Sequence, residues 1–229
     1  LAYKVNVGNT QSLFECVLKK NIKKFLYFST IHVYGSPLLG TLKESQVLEP
    51  AHPYAKTHYE AEDVIKKLNS KNQVSNIIVR LSNAFGAPIN SKNKCWHLVF
   101  NDFIKQAVNT NKIIINSKKN VFRDFIAIED VCRAVDYLIK LDDKSDSNAV
   151  YNLGQGQSLS IYQIAEVIKK RFEMHNRLIR IEYDFNLEQI NDNFNFDIKK
   201  IINSGFNFKQ KFNYNNEIDR LIKFCKKNN

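Results

Sequence analysis

Two short runs, Phe25-Leu26-Tyr27-Phe28 and Ile77-Ile78-Val79, are apolar at successive positions rather than at every second one. A strand with one wet face alternates apolar and polar side chains. A strand buried on both faces does not, and such strands belong to parallel sheets sandwiched between helices. The first run ends in Ser29-Thr30, so small hydroxyl residues stand where the strand leaves the core.

Around these runs the apolar spacing turns helical. Residues 9–20 carry Leu13, Phe14, Val17 and Leu18 at that spacing, and residues 54–68 place Glu60, Glu62, Lys66 and Lys67 on a wet side. A helix over 96–108 turns Leu98, Val99, Phe103, Ile104 and Ala107 inward, and another covers 129–141. Ser160 caps a helix over 160–172. Residues 197–202, stopped by Gly205, and 216–226 complete the helices. Further strands are expected at 76–81, 113–115, 149–153 and 180–183, and residues 35–52, broken by Gly35, Pro37, Gly40 and Pro50, read as loop. Alternating strand and helix gives an α/β fold with a parallel sheet. At 229 residues the chain is long enough for a real core.

Composition excludes several classes. There is no run of 18 apolar residues, so no transmembrane helix is expected, and the first residues lack the basic start and apolar core of a signal peptide. Cys16, Cys95, Cys132 and Cys225 are far apart and read as reduced thiols in a cytoplasmic protein. Cys95-x-His97 is not a metal site without further ligands, and no metal is expected. The net charge of +11 favours anionic partners, but the lysines are scattered in an Asn- and Lys-rich background and no nucleic-acid motif accompanies them. Neither nucleic acid nor membrane is an expected partner.

Six motifs, in order, carry a family resemblance: Asn6-Val7-Gly8-Asn9-Thr10; Ser29-Thr30-x-x-Val33-Tyr34-Gly35; Pro53-Tyr54-x-x-x-His58-Tyr59-x-Ala61-Glu62; Arg80-x-x-Asn83-x-Phe85-Gly86; Arg123-Asp124-Phe125-x-x-x-x-Asp130-Val131; and Tyr151-Asn152-Leu153-Gly154. Together they resemble the extended short-chain dehydrogenase/reductase family, the NAD-dependent epimerase/dehydratases acting on nucleotide sugars. The resemblance covers nearly the whole chain. It implies a Rossmann-like sheet within residues 1–87 and a smaller substrate-binding portion over 88–229, with 112–153 partly returning to the sheet. The family's Gly-x-x-Gly-x-x-Gly phosphate turn is absent from the sequence. Without the strands that precede it, the 25–28 run would sit beside an unpaired edge. A piece of a longer gene product is therefore the expectation.

The resemblance also assigns roles. Tyr54 is the implied acid/base and Thr30 orients the substrate hydroxyl toward it. His58 stands where the family has lysine, one helical turn from Tyr54; it can offer a donor to the nicotinamide ribose, but with less charge to activate the phenol. Asn6, Ser29, Tyr54 and His58 are the implied contacts to NAD or NADP. Thr30, Asn83 and Arg123 are the implied contacts to a nucleotide sugar, the guanidinium suiting a diphosphate; the competing role for Arg123 is a salt bridge to Asp124 or Asp130. The 4,6-dehydratases place Asp-Glu after the threonine, whereas Ile31-His32 stands here, which disfavours dehydration. The implied activity is epimerisation or keto-sugar reduction in surface-polysaccharide synthesis. The rival is a catalytically impaired or non-enzymatic nucleotide-sugar-binding relative. A homodimer through helices 9–20 and 54–68 is a further implication. The basic, aromatic stretch Lys92, Lys94, Cys95, Trp96 and His97 is either a lid or part of the core.

Overall fold

The computed structural model describes residues 1–20, 22–71, 73–90, 92–116, 121–141, 148–183, 193–208 and 214–228. A π-helical turn, Lys4–Gly8, runs into α1, Asn9–Lys19. Strand β1 is Lys24–Thr30, followed by a 3-10 turn, Ile31–Tyr34, and by β2, Gly40–Leu42. Helix α2 is Pro53–Leu68, with Pro53 in its first turn, where the missing N–H has no helical partner to lose. Strands β3, Ser75–Leu81, and β4, Asn83–Phe85, come next. Then follow α3, Val99–Thr110; β5, Lys112–Ile115; β6, Phe122–Ala127; α4, Ile128–Lys140; and β7, Asn148–Leu153. The chain continues through β8, Ser158–Ser160; α5, Ile161–Glu173; β9, Arg180–Tyr183; β10, Phe194–Phe196; α6, Lys199–Asn203; and α7, Asn215–Lys227.

Strands β1, β3 and β7 form a parallel sheet in the order β1-β3-β7, with Thr30 and Leu81 in register at the end of the first pair. One side of β3 packs Ile77 and Val79 against α4 and the β10 segment; helices α1 and α2 close around Phe14, Val17 and Ile65 with Phe25 and Tyr27 of β1 beside them. The larger core gathers Phe100, Ile104, Ile113, Ile164, Ile168, Ile218 and Leu221 from α3, β5, α5 and α7. Ser160 and Gln163 form a reciprocal capping box that starts α5, as the Ser160 cap predicts. Lys24, at the start of β1, donates from Nζ to the carbonyls of Ile139 at 2.7 Å and Leu141 at 2.6 Å, at the exposed end of α4.

The structure corrects the sequence reading at four places. Glu62 is not on a wet side: it is fully buried, and its carboxylate receives Arg80 Nε at 3.1 Å and Nη2 at 2.8 Å. The 35–52 segment is not all loop, since β2 pairs in parallel with β10. Helix α3 begins at Val99 because Leu98 is extended and partly exposed, so Trp96 and Leu98 lie outside it. Residues 122–127, of which 123–127 entered the sequence reading only as part of a motif, form β6, which joins β4 in parallel and β8 antiparallel.

Candidate active site

The C-terminal ends of parallel strands are where side chains leave the core, and the motif residues gather there. Thr30 ends β1 and caps the 3-10 turn, its Oγ1 accepting from the His32 N–H at 3.3 Å. Tyr54 opens α2 immediately after Pro53. Asn83 begins β4 and donates from Nδ2 to the Asp124 carbonyl at 2.9 Å, which ties it to Arg123 on the neighbouring β6. Thr30, Tyr54, Asn83 and Arg123 all line one cavity of about 330 Å³, with His32, Ser82, His97 and the apolar wall of Phe85, Val99 and Phe100. Among the described residues no carboxylate lines it.

Arg123 is half-buried, and burial lowers its pKa. The rival salt bridges are not formed. Asp130 pairs with Arg133 at 3.0 Å, and Asp124 accepts the backbone N–H groups of Gln155, Gly156 and Gln157 at 3.0, 2.7 and 3.0 Å. A guanidinium in a partly dry wall with no carboxylate partner among the described residues suits an anion. Burial also pushes the His32 imidazole below its ordinary pKa, with the nearby Arg123 and His52 acting the same way.

Three expected residues are not among those lining the cavity. His58 sits behind Tyr54, ring centroids 4.6 Å apart and edge to face, and its Nδ1 is 3.0 Å from the Tyr27 hydroxyl. Burial pushes its pKa below the ordinary value, against the opposing pull of Glu62. Asn6 donates to Thr57 Oγ1 at 3.0 Å, and Thr57 in turn donates to the Tyr54 carbonyl at 2.9 Å, so Asn6 braces the first turn of α2. Ser29 is buried and its hydroxyl has no hydrogen-bond partner among the described residues. Of the 92–97 stretch, His97 reaches the cavity, while Trp96 turns toward Phe224, 6.0 Å away, under the Lys105 ammonium at 5.1 Å.

Sequence reasoning missed Tyr27. It reads as one more residue of an apolar strand, and only the structure puts it beside α1 and α2. His32 carried a signal, since it stands directly after the Thr30 turn.

Below the cavity a buried polar network fixes the walls. Arg80 joins Glu62 of α2 to the Tyr34 hydroxyl, which donates to Asn152 Oδ1 at 2.6 Å; Asn152 then bonds the carbonyls of Leu42 and Asp197. Every member has a partner, so the network sets one geometry for α2, the 3-10 turn and β7.

The residues fit the nicotinamide end of a dinucleotide. Tyr54 and His58 share one face of α2, and the unpartnered Ser29 hydroxyl lies at the end of β1. Nothing in the sequence supplies the glycine-rich turn that would hold the pyrophosphate.

Residues 1–154 match the family described as NAD dependent epimerase/dehydratase. The low-salt glycan biosynthesis protein of Haloferax volcanii is 31% identical over 163 residues, 71% of this chain and 50% of that protein. Among solved structures, a UDP-N-acetylglucosamine 4-epimerase from Methanobrevibacter ruminantium, in complex with UDP-N-acetylmuramic acid, superposes with a TM-score of 0.79 at 23% identity, over 99% of this chain and 70% of the other. A dTDP-glucose 4,6-dehydratase from Bacillus anthracis in complex with NAD gives 0.76 at 23% identity, over 99% and 69%. The chain thus spans from half to 70% of the length of these relatives, and the two superpositions bear out the Rossmann-like α/β fold.

Proposed function

The chain belongs to the NAD dependent epimerase/dehydratase family, and on that premise we propose that it acts as an NAD(P)-dependent nucleotide-sugar epimerase or keto-sugar reductase of cytoplasmic polysaccharide synthesis. Tyr54 is the acid/base. As phenolate it takes the proton of the sugar hydroxyl that Thr30 orients by a shared hydrogen bond; as phenol it returns that proton to the carbonyl oxygen in the reverse step. Bound NAD(P) supplies the hydride acceptor, and in reverse the donor. His58 and Ser29 contact the nicotinamide nucleotide, and Asn6 supports them by holding the start of α2. Arg123 takes the diphosphate oxygens and Asn83 the adjoining sugar.

The observation that carries this reading is the single cavity lined by Thr30, Tyr54, Asn83 and Arg123. Its lining without carboxylates speaks against dehydration, which needs an acid and a base beyond the tyrosine. Residues 1–87 belong in this reading to the nucleotide-binding portion and 88–229 to the substrate-binding portion; the pairing of β7 with β3 supports a return of part of 112–153 to the sheet. A homodimer through α1 and α2 belongs to the same reading, supported by the exposed Leu13 and Tyr59 on those helices.

The test is turnover of UDP-, GDP- and dTDP-sugars with added pyridine nucleotide. Tyr54→Phe is expected to lower kcat by about 10²–10⁴-fold while nucleotide-sugar binding persists. Absence of turnover, or turnover indifferent to Tyr54→Phe, defeats the proposal. The second reading, a sugar-nucleotide binder without redox chemistry, draws on the lowered pKa of His58 in place of an ammonium. Calorimetry that finds sugar-nucleotide binding but no NAD(P) binding selects it.

A further inference from the structure

We infer that Tyr27 is a positioning residue which holds His58 in a single tautomer, so that α2 offers a bound nicotinamide nucleotide a neutral Nε2–H donor. The clause about the nucleotide rests on the function proposed above; the tautomer does not.

The Tyr27 hydroxyl lies 3.0 Å from His58 Nδ1, across the interface between β1 and α2. Either group can be the donor in such a pair, and the surroundings decide which. Tyr27 is held well above the ordinary phenol range, first by burial and then by the charge of Glu62 and the neighbouring Tyr54, so it keeps its proton. A phenol O–H is a far stronger acid than the N–H of a neutral imidazole, and a bare imidazole nitrogen is a better acceptor than a phenol oxygen, so the Tyr27 O–H donates to Nδ1.

His58 accepts only if Nδ1 is bare. Burial disfavours the imidazolium, and the one carboxylate that pulls the other way, Glu62, is held by both Nε and Nη2 of Arg80. The single ring proton therefore sits on Nε2, which has no partner among the described residues. The edge-to-face contact with Tyr54, at 4.6 Å, restrains the plane of the ring. The groups facing His58 are thus Tyr27 from β1 and Tyr54 and Glu62 from its own helix. An Nε2–H fixed in this way can bond a ribose hydroxyl at the place of the family's lysine, but it carries no charge with which to activate Tyr54.

Protein labelled with ¹⁵N in its histidine rings, observed by long-range ¹H–¹⁵N spectra near pH 7.5, tests this directly. In the unmodified chain His58 should show a bare Nδ1 and a protonated Nε2. Tyr27→Phe, which keeps the ring and its packing, should shift the tautomer ratio toward Nδ1–H by about threefold to tenfold, the worth of one hydrogen bond. If that variant fails to fold, the tautomer of the unmodified chain decides alone. A His58 already protonated on Nδ1, or a ratio unmoved by Tyr27→Phe, overturns the inference. For the nucleotide clause, the Kd for NADH should rise by about threefold to tenfold in Tyr27→Phe and the Kd for UDP should not move. A fixed tautomer with an unchanged NADH affinity overturns that clause, and a fixed tautomer in a chain that binds no NADH at all defeats the cofactor assignment instead.

Discussion

Glu62 and Asp124 are both wholly buried carboxylates, one beneath each wall of the cavity, and they are held in opposite ways. Glu62, on the helix that begins with Tyr54, faces a full positive charge: Arg80 grips both its oxygens and is itself tied to the Tyr34 hydroxyl at 3.0 Å. Asp124, beside Arg123 on β6, faces no cation. Its oxygens take three backbone N–H groups of the turn after β7. Those donors orient the carboxylate and pin the turn, but they do not fully offset the lost hydration, and burial pushes the Asp124 pKa up to about 6. Glu62 meets a full opposite charge, whereas the three N–H groups at Asp124 pull its pKa down but only partly offset the cost of burial.

The sharpest way to break this contrast is Arg80→Met. It leaves the buried Glu62 with only the longer contact to Lys66 Nζ, at 3.5 Å, and should cost about 3 kcal/mol in urea unfolding. The double change with Glu62→Met should recover most of that loss, because the remaining pair is apolar. A loss under about 1 kcal/mol would mean that Arg80 acts no more strongly than an exposed pair.

Gly154→Ala strikes the other side. A Cβ there would collide with Asp124 Oδ1 and the Phe196 ring, neither of which has room to retreat. The expected loss is about 1–3 kcal/mol, read from the same unfolding curves. An unchanged midpoint would show that the clamp yields freely.

Asp124→Asn is the mildest. Its amide keeps one acceptor but turns donors toward N–H groups, which should cost about 1 kcal/mol at neutral pH. The pH dependence is the better measure. A carboxyl whose folded pKa lies above its unfolded value contributes stability that is complete below about pH 4 and lost as pH rises through about 6. Unmodified protein should therefore lose stability relative to Asp124→Asn over that interval. Parallel curves for the two at pH 4 and pH 7 would contradict the raised pKa.

The same pair shows what the sequence made legible. Thr30, Tyr54, Asn83 and Arg123 could be singled out because each sits in a short motif that resembles the family's, at the end of a strand or the start of an element, where position is set by neighbours in sequence. Glu62 was misread because its partner Arg80 is 18 residues away on another element; helical periodicity sees only a charged residue among others. Strands β2, β4, β8 and β10 are three residues each and exist through their pairing, which no local pattern announces. Tyr27 was hidden for the opposite reason: an aromatic in an apolar run looks like packing, and its hydroxyl is defined only by what α1 and α2 bring to it. The alternation of strand and helix gave the fold class and the resemblance gave the family, while the buried polar wiring came from the coordinates.

Lys24 qualifies the large formal charge. Its ammonium is engaged by carbonyls at the end of α4, where the helix dipole is negative. The partial negative charge of that helix end offsets part of its field, so the ammonium adds a full unit to the tally of +11 but less than that to the potential that an approaching anion feels. Where an anion is drawn thus depends on the placement of the cations as well as on their number.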